Sequence, residues 1–285
     1  MMSRLVFAMK KLSRRWQTGV ELRSSREILR PMKRIDLNSD LGEGYGPWKM
    51  GDDARMLGIV TSANIACGGH ASDPETMFQT LKLAQDNGVN VGAHPGFNDR
   101  EGFGRRLIPM QPDEIARMCA AQIGALQAVA SQVGIRVNYV KPHGALGNLA
   151  ARDRSVADAI VAAVRNIDPG LAMLAISGTQ AEVAAAEAGA PVYSEIFADR
   201  GYQSNGQLVP RGQPGAMITD PDAAADRLIN YLETGLMPVV DGSPIRLEAH
   251  SICVHGDSAE AVEMATVIRN RLAACQIAIE PFMAS

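Results

Sequence analysis

Acidic and amide side chains alternate with other residues in one predicted strand, at positions 34–40. Asp36, Asn38 and Asp40 occupy every second position there. Successive side chains of a β-strand point to opposite faces, so these three polar groups share one face. Two carboxylates on an inward face are costly unless they are paired, hydrogen-bonded or bound to a metal. The pattern therefore indicates either a reactive site or a buried ion pair that only closes the fold.

A second pair with the same spacing is Lys141 and His143, separated by Pro142. The two side chains share a face, and the proline stiffens the turn between them. A lysine with acids nearby can hold or polarise an anionic substrate, and a histidine can move a proton near neutral pH. Lys141 and His143 therefore join the candidate site.

Polar side chains also follow most of the other predicted strands. They are Asn64, His70, His94, Asp199, Arg200 and His255. In parallel α/β folds the carboxyl ends of the strands and the loops after them build the active site, so we expect these groups on one rim. Two or three of Asp40, His70, His94, His143 and His255 would suit Zn, Mn or Ni. None of them has a short diagnostic spacing, and the presence of a metal stays open.

Loop glycines give no sign of a nucleotide site. Gly42, Gly44 and Gly46 form G-x-G-x-G, with no clear helix after them, and not the G-x-G-x-x-G of a dinucleotide site. The phosphate-binding pattern G-x-x-x-x-G-K-[ST] is missing from the sequence as well. The sequence therefore contains no recognisable nucleotide-binding motif.

Strand-like and helix-like patterns alternate from Met32 onward, and these elements must position the polar groups. Seven strands are predicted, with an eighth possible at the end: 34–40, 60–66, 89–93, 137–140, 171–176, 192–197, 251–254 and 277–280. Helices are predicted at 74–87, at 112–133, from Asp220 to near Gly235, and over 259–274 after Asp257 and Ser258. Such alternation is typical of a parallel sheet with right-handed crossovers, and we favour a (β/α) barrel over an open doubly wound sheet.

Charge and composition limit the function classes. The formal net charge is −3, but residues 1–31 hold eight basic and two acidic groups, which leaves residues 32–285 at −9. An acidic body is a poor candidate for nucleic-acid binding, and no apolar run is long enough to span a membrane. Four cysteines without metal-like spacing indicate free thiols in a reducing, cytoplasmic compartment. We expect residues 1–31 to be a basic extension outside the fold and residues 32–285 to be one barrel domain.

Six ordered stretches resemble the LamB/YcsF family: IDLNSDLGEGYG (35–46), TSANIACGGH (61–70), GAHPGFNDREGFGRR (92–106), VKPHGALGN (140–148), EIFADRGYQSNGQLVPR (195–211) and ICVHGD (252–257). They cover the body almost to its end and are long enough to be highly specific. Two positions depart from the family pattern. Gly69 stands where phenylalanine is usual and Gly147 where tyrosine is usual, so we expect two aromatic walls to be lost.

The resemblance implies an irregular seven-stranded (β/α) barrel of the glycoside hydrolase/deacetylase type. It also implies a subunit of a 5-oxoprolinase, which opens 5-oxo-L-proline to L-glutamate. ATP with Mg²⁺ would be the co-substrate, bound with two further subunits. The alternatives are a metal-dependent deacetylase or carbohydrate hydrolase, or a non-catalytic regulatory subunit.

The resemblance assigns no roles to single residues, so we assign them from their chemistry. Lys141 would hold anionic oxygens of the substrate, Asp40 or His143 would activate water, and Asp199 completes the predicted catalytic set. The predicted substrate-binding residues are Asp36, Asn38, Asn64, His70, His94, Arg200 and His255.

Overall fold

Seven parallel strands close into a barrel in the computed structural model, which describes residues 34–256 and 259–283. In chain order the strands are β1 (Arg34–Leu41), β2 (Ser62–Ala66), β3 (Asn90–His94), β4 (Val137–Val140), β5 (Ala172–Ile176), β6 (Val192–Phe197), β7 (Leu236–Met237), β8 (Ile245–Arg246), β9 (Ser251–Cys253) and β10 (Ala278–Ile279). The helices within the described ranges are α1 (Asp53–Leu57), α2 (Pro74–Asp86), α3 (Pro112–Val133), α4 (Gly144–Arg152), α5 (Arg154–Ile167), α6 (Gln180–Glu187), α7 (Pro221–Thr234) and α8 (Ala259–Ala274).

The barrel is closed by pairing between its first and last strands. Strands β1 to β6 pair in sequence order, β9 pairs with β6, and β9 also pairs with β1. Strand β10 adds to the amino end of β1 through Arg34 and Ile35, so it extends the sheet and takes no part in the ring. Strands β7 and β8 form a separate antiparallel pair. The predicted seven-stranded (β/α) barrel is confirmed, with the eighth predicted strand as an appendage.

The barrel is irregular where β3 meets β4. The pairing register shifts between Val91 and Gly92, and the ring of Tyr139 occupies the space that a side chain at position 92 would need. Glycine at this position therefore lets a large buried ring enter the barrel. The hydroxyl group of Tyr139 donates a hydrogen bond to Asn64 Oδ1 at 2.8 Å, which links the ring to the polar centre of the barrel.

The predicted helix boundaries are confirmed where a capping residue adjacent in the sequence begins or ends the helix. Asp73 caps α2 by accepting hydrogen bonds from the backbone of Glu75 and Thr76. Helices α3 and α7 end at Gly134 and Gly235, both in the left-handed region at φ 80° and 68°. Helix α8 spans the predicted residues. Its predicted start at Asp257 and Ser258 lies outside the described residues, as does the predicted extension over residues 1–31.

Most of the buried apolar side chains of the described residues belong to one core cluster, and Tyr139, Ala172 and Leu174 form a second, smaller cluster. On β1 the alternation is as predicted: Leu37 packs into the apolar core, while Asp36 and Asn38 are buried among polar partners. No helix within the described ranges is long and apolar enough to cross a membrane.

Candidate active site

The lowest polar layer of the barrel surrounds Asp36, near the amino end of β1. Its carboxylate accepts hydrogen bonds from Thr61 Oγ1 at 2.6 Å, from Ser62 Oγ at 2.7 Å and from Ser251 Oγ. Burial penalises the charged form more than these bonds favour it, and raises the pKa of Asp36 to about 6. Asp36, predicted to bind substrate, is thus enclosed by protein and lies below the cavity described next.

Lys141 occupies the centre of the barrel, where β4 ends. Its ammonium nitrogen lies 2.9 Å from Asp40 Oδ1, 3.0 Å from Glu195 Oε2, 3.2 Å from Asn38 Oδ1 and 3.2 Å from Cys253 Sγ. Burial alone would lower the pKa of Lys141, but the charges of Asp40 and Glu195 hold it well above its usual value. The ammonium group therefore stays charged, and protein atoms already accept its three hydrogens.

Asp40 is held in one orientation by its neighbours. Its Oδ1 accepts hydrogen bonds from Lys141 and, at 2.8 Å, from Asn64 Nδ2, whose other hydrogen goes to Asn38 Oδ1 at 2.7 Å. Its Oδ2 lies 3.3 Å from His94 Nε2. Burial raises the pKa of Asp40, but the charges of His94 and Lys141 bring it well below the usual value. Asp40 is therefore an anion at neutral pH.

Three histidines and one glutamate form a cluster beside Asp40, which we call the histidine cluster. It consists of Glu43 after β1, His70 after β2, His94 at the end of β3 and His143 after β4, all buried. One nitrogen or oxygen atom from each of the four lies within 4.8 Å of the others. The rings of His70 and His143 stack with centroids 3.6 Å apart, and the His94 ring stands perpendicular to both. These residue types bind divalent transition metals.

Burial dominates the electrostatics of the histidine cluster. It lowers the pKa of both His70 and His143 well below the usual value, because a buried imidazolium loses its hydration. The neighbouring histidines lower both values further. His70 and His143 are therefore neutral rings at neutral pH.

The loop after β3 covers this cluster, and one glycine lets it approach. Gly104 adopts φ +62°, and a Cβ atom there would lie 2.6 Å from His70 Cβ and 2.8 Å from His143 Cδ2. The loop is fastened by Asp99, which accepts hydrogen bonds from Arg106 Nε at 2.8 Å and from the Gly102 amide at 3.1 Å. Gly104 thus allows the backbone of this loop to pack against the two imidazole rings.

A separate acid–histidine pair lies on the other side of the barrel. His255 Nδ1, after β9, is 2.6 Å from Asp199 Oδ2, after β6. Burial lowers the pKa of His255, but the hydrogen bond and charge of Asp199 outweigh it and raise the value. His255 Nε2 lies 3.3 Å from a guanidinium nitrogen of Arg211. A carboxylate at Nδ1 fixes the tautomer of the ring, and Nε2 is the nitrogen that faces Arg211.

A cavity of about 690 Å³ opens at the carboxyl end of the barrel and joins the two groups. Its lining includes Asp40, Glu43, His94, Lys141, His143, Glu195 and His255. Four arginines also line it: Arg105, Arg152, Arg200 and Arg211. Arg200 is itself buried and donates hydrogen bonds to the carbonyl groups of Ala216 and Val209, so its position is fixed by the loop after β6. The cavity offers charged side chains to a small anionic ligand.

Not all predicted site residues reach this cavity. Asp40, Lys141, His143, His94, Arg200 and His255 line it. Asn38, Asn64, His70 and Asp199 do not, but each contacts a residue that does. Asp36 does not line it either, and its side chain accepts hydrogen bonds from Thr61, Ser62 and Ser251. Sequence reasoning missed Glu195 and Glu43. Glu195 is the only acid of its strand, two positions before Phe197, and so shares a face with a residue at the strand end. Glu43 lies between Gly42 and Gly44, in a segment that was compared only with nucleotide-binding motifs.

The structure shows what surrounds the two positions that depart from the family pattern. A Cβ atom at Gly69 would lie 2.5 Å from Gly96 O and 2.6 Å from the Gln122 amide, and one at Gly147 would lie 2.6 Å from Pro142 O. Gly147 also belongs to the lining of the cavity. The expected loss of two aromatic walls stays a prediction.

The chain is similar to known proteins along most of its length. The LamB/YcsF family matches residues 35–285. The 5-oxoprolinase A subunit of Azorhizobium caulinodans is 52% identical over 252 residues, which are 88% of this chain and 99% of that protein. The corresponding protein of Mycobacterium avium is 48% identical over 251 residues, 88% of this chain and 100% of its own length. The crystal structure of a lactam utilization protein from Thermus thermophilus superposes with a TM-score of 0.82 at 41% identity, covering 87% of this chain and 99% of that one.

Proposed function

Since the chain belongs to the LamB/YcsF family, we propose that it is the ring-opening subunit of a 5-oxoprolinase, which converts 5-oxo-L-proline to L-glutamate with ATP. Relatives about half identical along nearly their whole length are named as the A subunit of 5-oxoprolinase. The structural neighbour from Thermus thermophilus is named for lactam utilization, and 5-oxoproline is a five-membered lactam. The proposal therefore rests on near full-length similarity, and the cavity supplies its chemistry.

The partners and the co-substrate belong to the same proposal. The relatives are named as one subunit of an enzyme, which implies at least one other subunit, and we propose two. ATP with Mg²⁺ would bind with those partners. Residues 32–285 carry a net charge of −9 and contain no recognisable phosphate-binding loop, so this body would tend to repel a free polyanion. Activation of the lactam and its opening would then occur on different subunits.

ATP coupling makes the stable lactam reactive through a balanced set of steps. The lactam carbonyl oxygen attacks the terminal phosphorus of ATP, the bond to ADP breaks, and C5 becomes electrophilic. Water then adds to C5 and gives up a proton to a base. Collapse of this adduct breaks the C5–N bond, the nitrogen takes a proton, and a γ-acyl phosphate remains. A second water hydrolyses it to glutamate and phosphate.

Asp40 is suited to be the base for the attacking water. It is charged at neutral pH, it lines the cavity, and one of its oxygens faces His94 instead of an ammonium or amide donor. Lys141 and Asn64 hold the other oxygen, so the carboxylate cannot turn away. A base fixed within reach of water contributes about 10²–10⁴-fold to the rate.

His255 is suited to protonate the departing nitrogen. Asp199 holds its Nδ1 at 2.6 Å and raises its pKa, so the protonated form persists to higher pH than in a free histidine. Arg200 and Arg211 would bind the phosphoryl or carboxylate oxygens, and Lys141 would stabilise negative charge from the floor of the cavity. The residue roles are supported by this placement of a charged Asp40 and an Asp199-bound His255 on one arginine-lined cavity.

Replacement of Lys141 by methionine tests the proposed function. Lys141→Met keeps the aliphatic stem but removes the charge that holds Asp40 and Glu195. We expect glutamate formation with ATP and the partner subunits to fall at least about 10²-fold. The matched control is Lys82→Met at an exposed position of α2, which should leave the rate unchanged. A folded Lys141→Met protein with most of its activity would contradict the proposed role of this site.

A further inference from the structure

We propose that the histidine cluster of Glu43, His70, His94 and His143 binds one divalent transition-metal ion. Binding itself does not depend on the proposed function, whereas the ion's role in lactam opening does. Hydrogen bonds around the cluster fix which ring nitrogens carry hydrogen.

The outer nitrogens of two rings point at backbone carbonyl groups. His94 Nδ1 lies 2.6 Å from the carbonyl oxygen of Lys141, and His143 Nε2 lies 2.8 Å from that of Phe103. A carbonyl oxygen only accepts hydrogen bonds, so each of these nitrogens must carry the hydrogen. The neutral tautomer of each ring, which is the form that binds metals, then has its lone pair on the inner nitrogen. The inner nitrogens, His94 Nε2 and His143 Nδ1, face each other at 3.0 Å.

Two facing lone pairs repel unless a positive species lies between or beside them. Two carboxylates lie against the same nitrogens: Glu43 Oε1 is 3.6 Å from His143 Nδ1, and Asp40 Oδ2 is 3.3 Å from His94 Nε2. Glu43 Oε1 also lies 3.0 Å from His70 Nε2, which is a hydrogen bond when that nitrogen carries hydrogen. A metal ion would bind all four members of the cluster at once.

His70 contributes its Nε2 to the cluster. This nitrogen lies 3.0 Å from Glu43 Oε1, and the ring lies flat against the His143 ring. The other nitrogen, Nδ1, is buried beside Gly96 and has no hydrogen-bond partner among the described residues.

The donor set selects the class of metal. Three imidazoles and one carboxylate suit Zn²⁺, Co²⁺, Ni²⁺ or Mn²⁺, whereas Mg²⁺ and Ca²⁺ prefer all-oxygen sites. The outer hydrogen bonds of His94 and His143 to backbone carbonyls are of the kind that orient metal-binding histidines. Glu43, His94 and His143 also line the cavity, which gives an ion a path to the cluster. When bound, the ion would acidify a water molecule and polarise a carbonyl group beside Asp40.

Cobalt reconstitution tests the site. The full chain would be stripped with a chelator, checked for fold by circular dichroism, and titrated with Co²⁺, with bound metal measured by elemental analysis. We expect one Co²⁺ per chain, with d–d absorption and no thiolate charge-transfer band. Glu43→Gln and His143→Gln should weaken binding by at least about tenfold. The control is His250→Gln, since His250 is exposed at the opposite end of the barrel and pairs with the Ser194 amide.

The wild-type titration decides the matter even if a variant fails to fold. Binding no tighter than that of Glu43→Gln, a charge-transfer band from cysteine, or the absence of stoichiometric Co²⁺ at micromolar concentrations would overturn the site. Activity is a separate readout. A chain that binds one ion but forms no glutamate with its partners contradicts the proposed function and leaves the metal site standing, whereas a fully active, metal-free enzyme removes the site's role in the reaction.

Discussion

One hydrogen bond, between Asp199 and His255, should set the pH dependence of the proposed reaction. His255 must be protonated to act as an acid, so activity falls as pH rises through its pKa. Asp199 raises that pKa through its hydrogen bond and charge. We therefore expect Asp199→Asn to move the alkaline limb of the kcat/KM profile to lower pH, measured in the reconstituted complex. The same exchange at exposed Asp158 should not move it. An unmoved limb in Asp199→Asn would exclude His255 as the acid.

Asp36 should affect stability and not catalysis, because it is enclosed below the cavity. Its pKa is about 6 in the folded protein and near 3.8 when unfolded, so between these values only the folded state keeps the proton. The wild type therefore loses free energy of unfolding as pH rises from 4 to 7, by roughly 2 kcal/mol from this group. Asp36→Asn should remove that loss.

Urea denaturation of wild type and Asp36→Asn at pH 4 and pH 7 measures this difference. The free energy of unfolding of the variant, relative to wild type, should increase between the two pH values. Asp86→Asn at an exposed position of α2 controls for the removal of one carboxylate. Parallel pH dependences for wild type and Asp36→Asn would show that Asp36 is ionised throughout.

The strands and helices of the barrel could be predicted because the sequence features that mark them are local. Period-two alternation, an aspartate cap before Pro74 and glycines at the ends of α3 and α7 each depend on a few neighbouring residues. The β7–β8 pair has two residues per strand and gives no periodic signal. The pairing of Asp199 with His255 joins positions 56 apart, so only the closed ring reveals it. Glu43 and Glu195 were missed for the same reason, since their partners lie on other strands.

The loop over the histidine cluster should tolerate no side chain at Gly104. Alanine there would be strained at φ +62° and would press on both His70 and His143, so we expect Gly104→Ala to lower the free energy of unfolding by about 1–3 kcal/mol. Gly124→Ala is the matched control, because it lies within α3 with open space around it and should be neutral or stabilising. Chemical denaturation compares the two. Equal stability for both variants would mean that the loop is free to move away.

Over the whole chain, the range of the family match and the charge distribution support the prediction that residues 1–31 lie outside the fold. The match begins at residue 35, and the first 31 residues hold eight basic and two acidic groups. We predict that a chain lacking residues 1–31 keeps its melting temperature within a few degrees and its activity with the partner subunits. A large drop in melting temperature, or precipitation of the shortened chain, would show that these residues contribute to the fold.

We propose that activation of the lactam and its opening occur on different subunits, and one set of mixtures tests this claim most directly. Glutamate and phosphate would be measured from 5-oxoproline, ATP and Mg²⁺ with this chain alone, with the two partners alone, with all three, and with Asp40→Asn in place of the wild type. We expect glutamate and phosphate in equal amounts only when all three subunits are present, and a glutamate rate about 10²–10⁴-fold lower with Asp40→Asn. Glutamate released rapidly by this chain alone, by the partners alone, or at an unchanged rate with Asp40→Asn would contradict it.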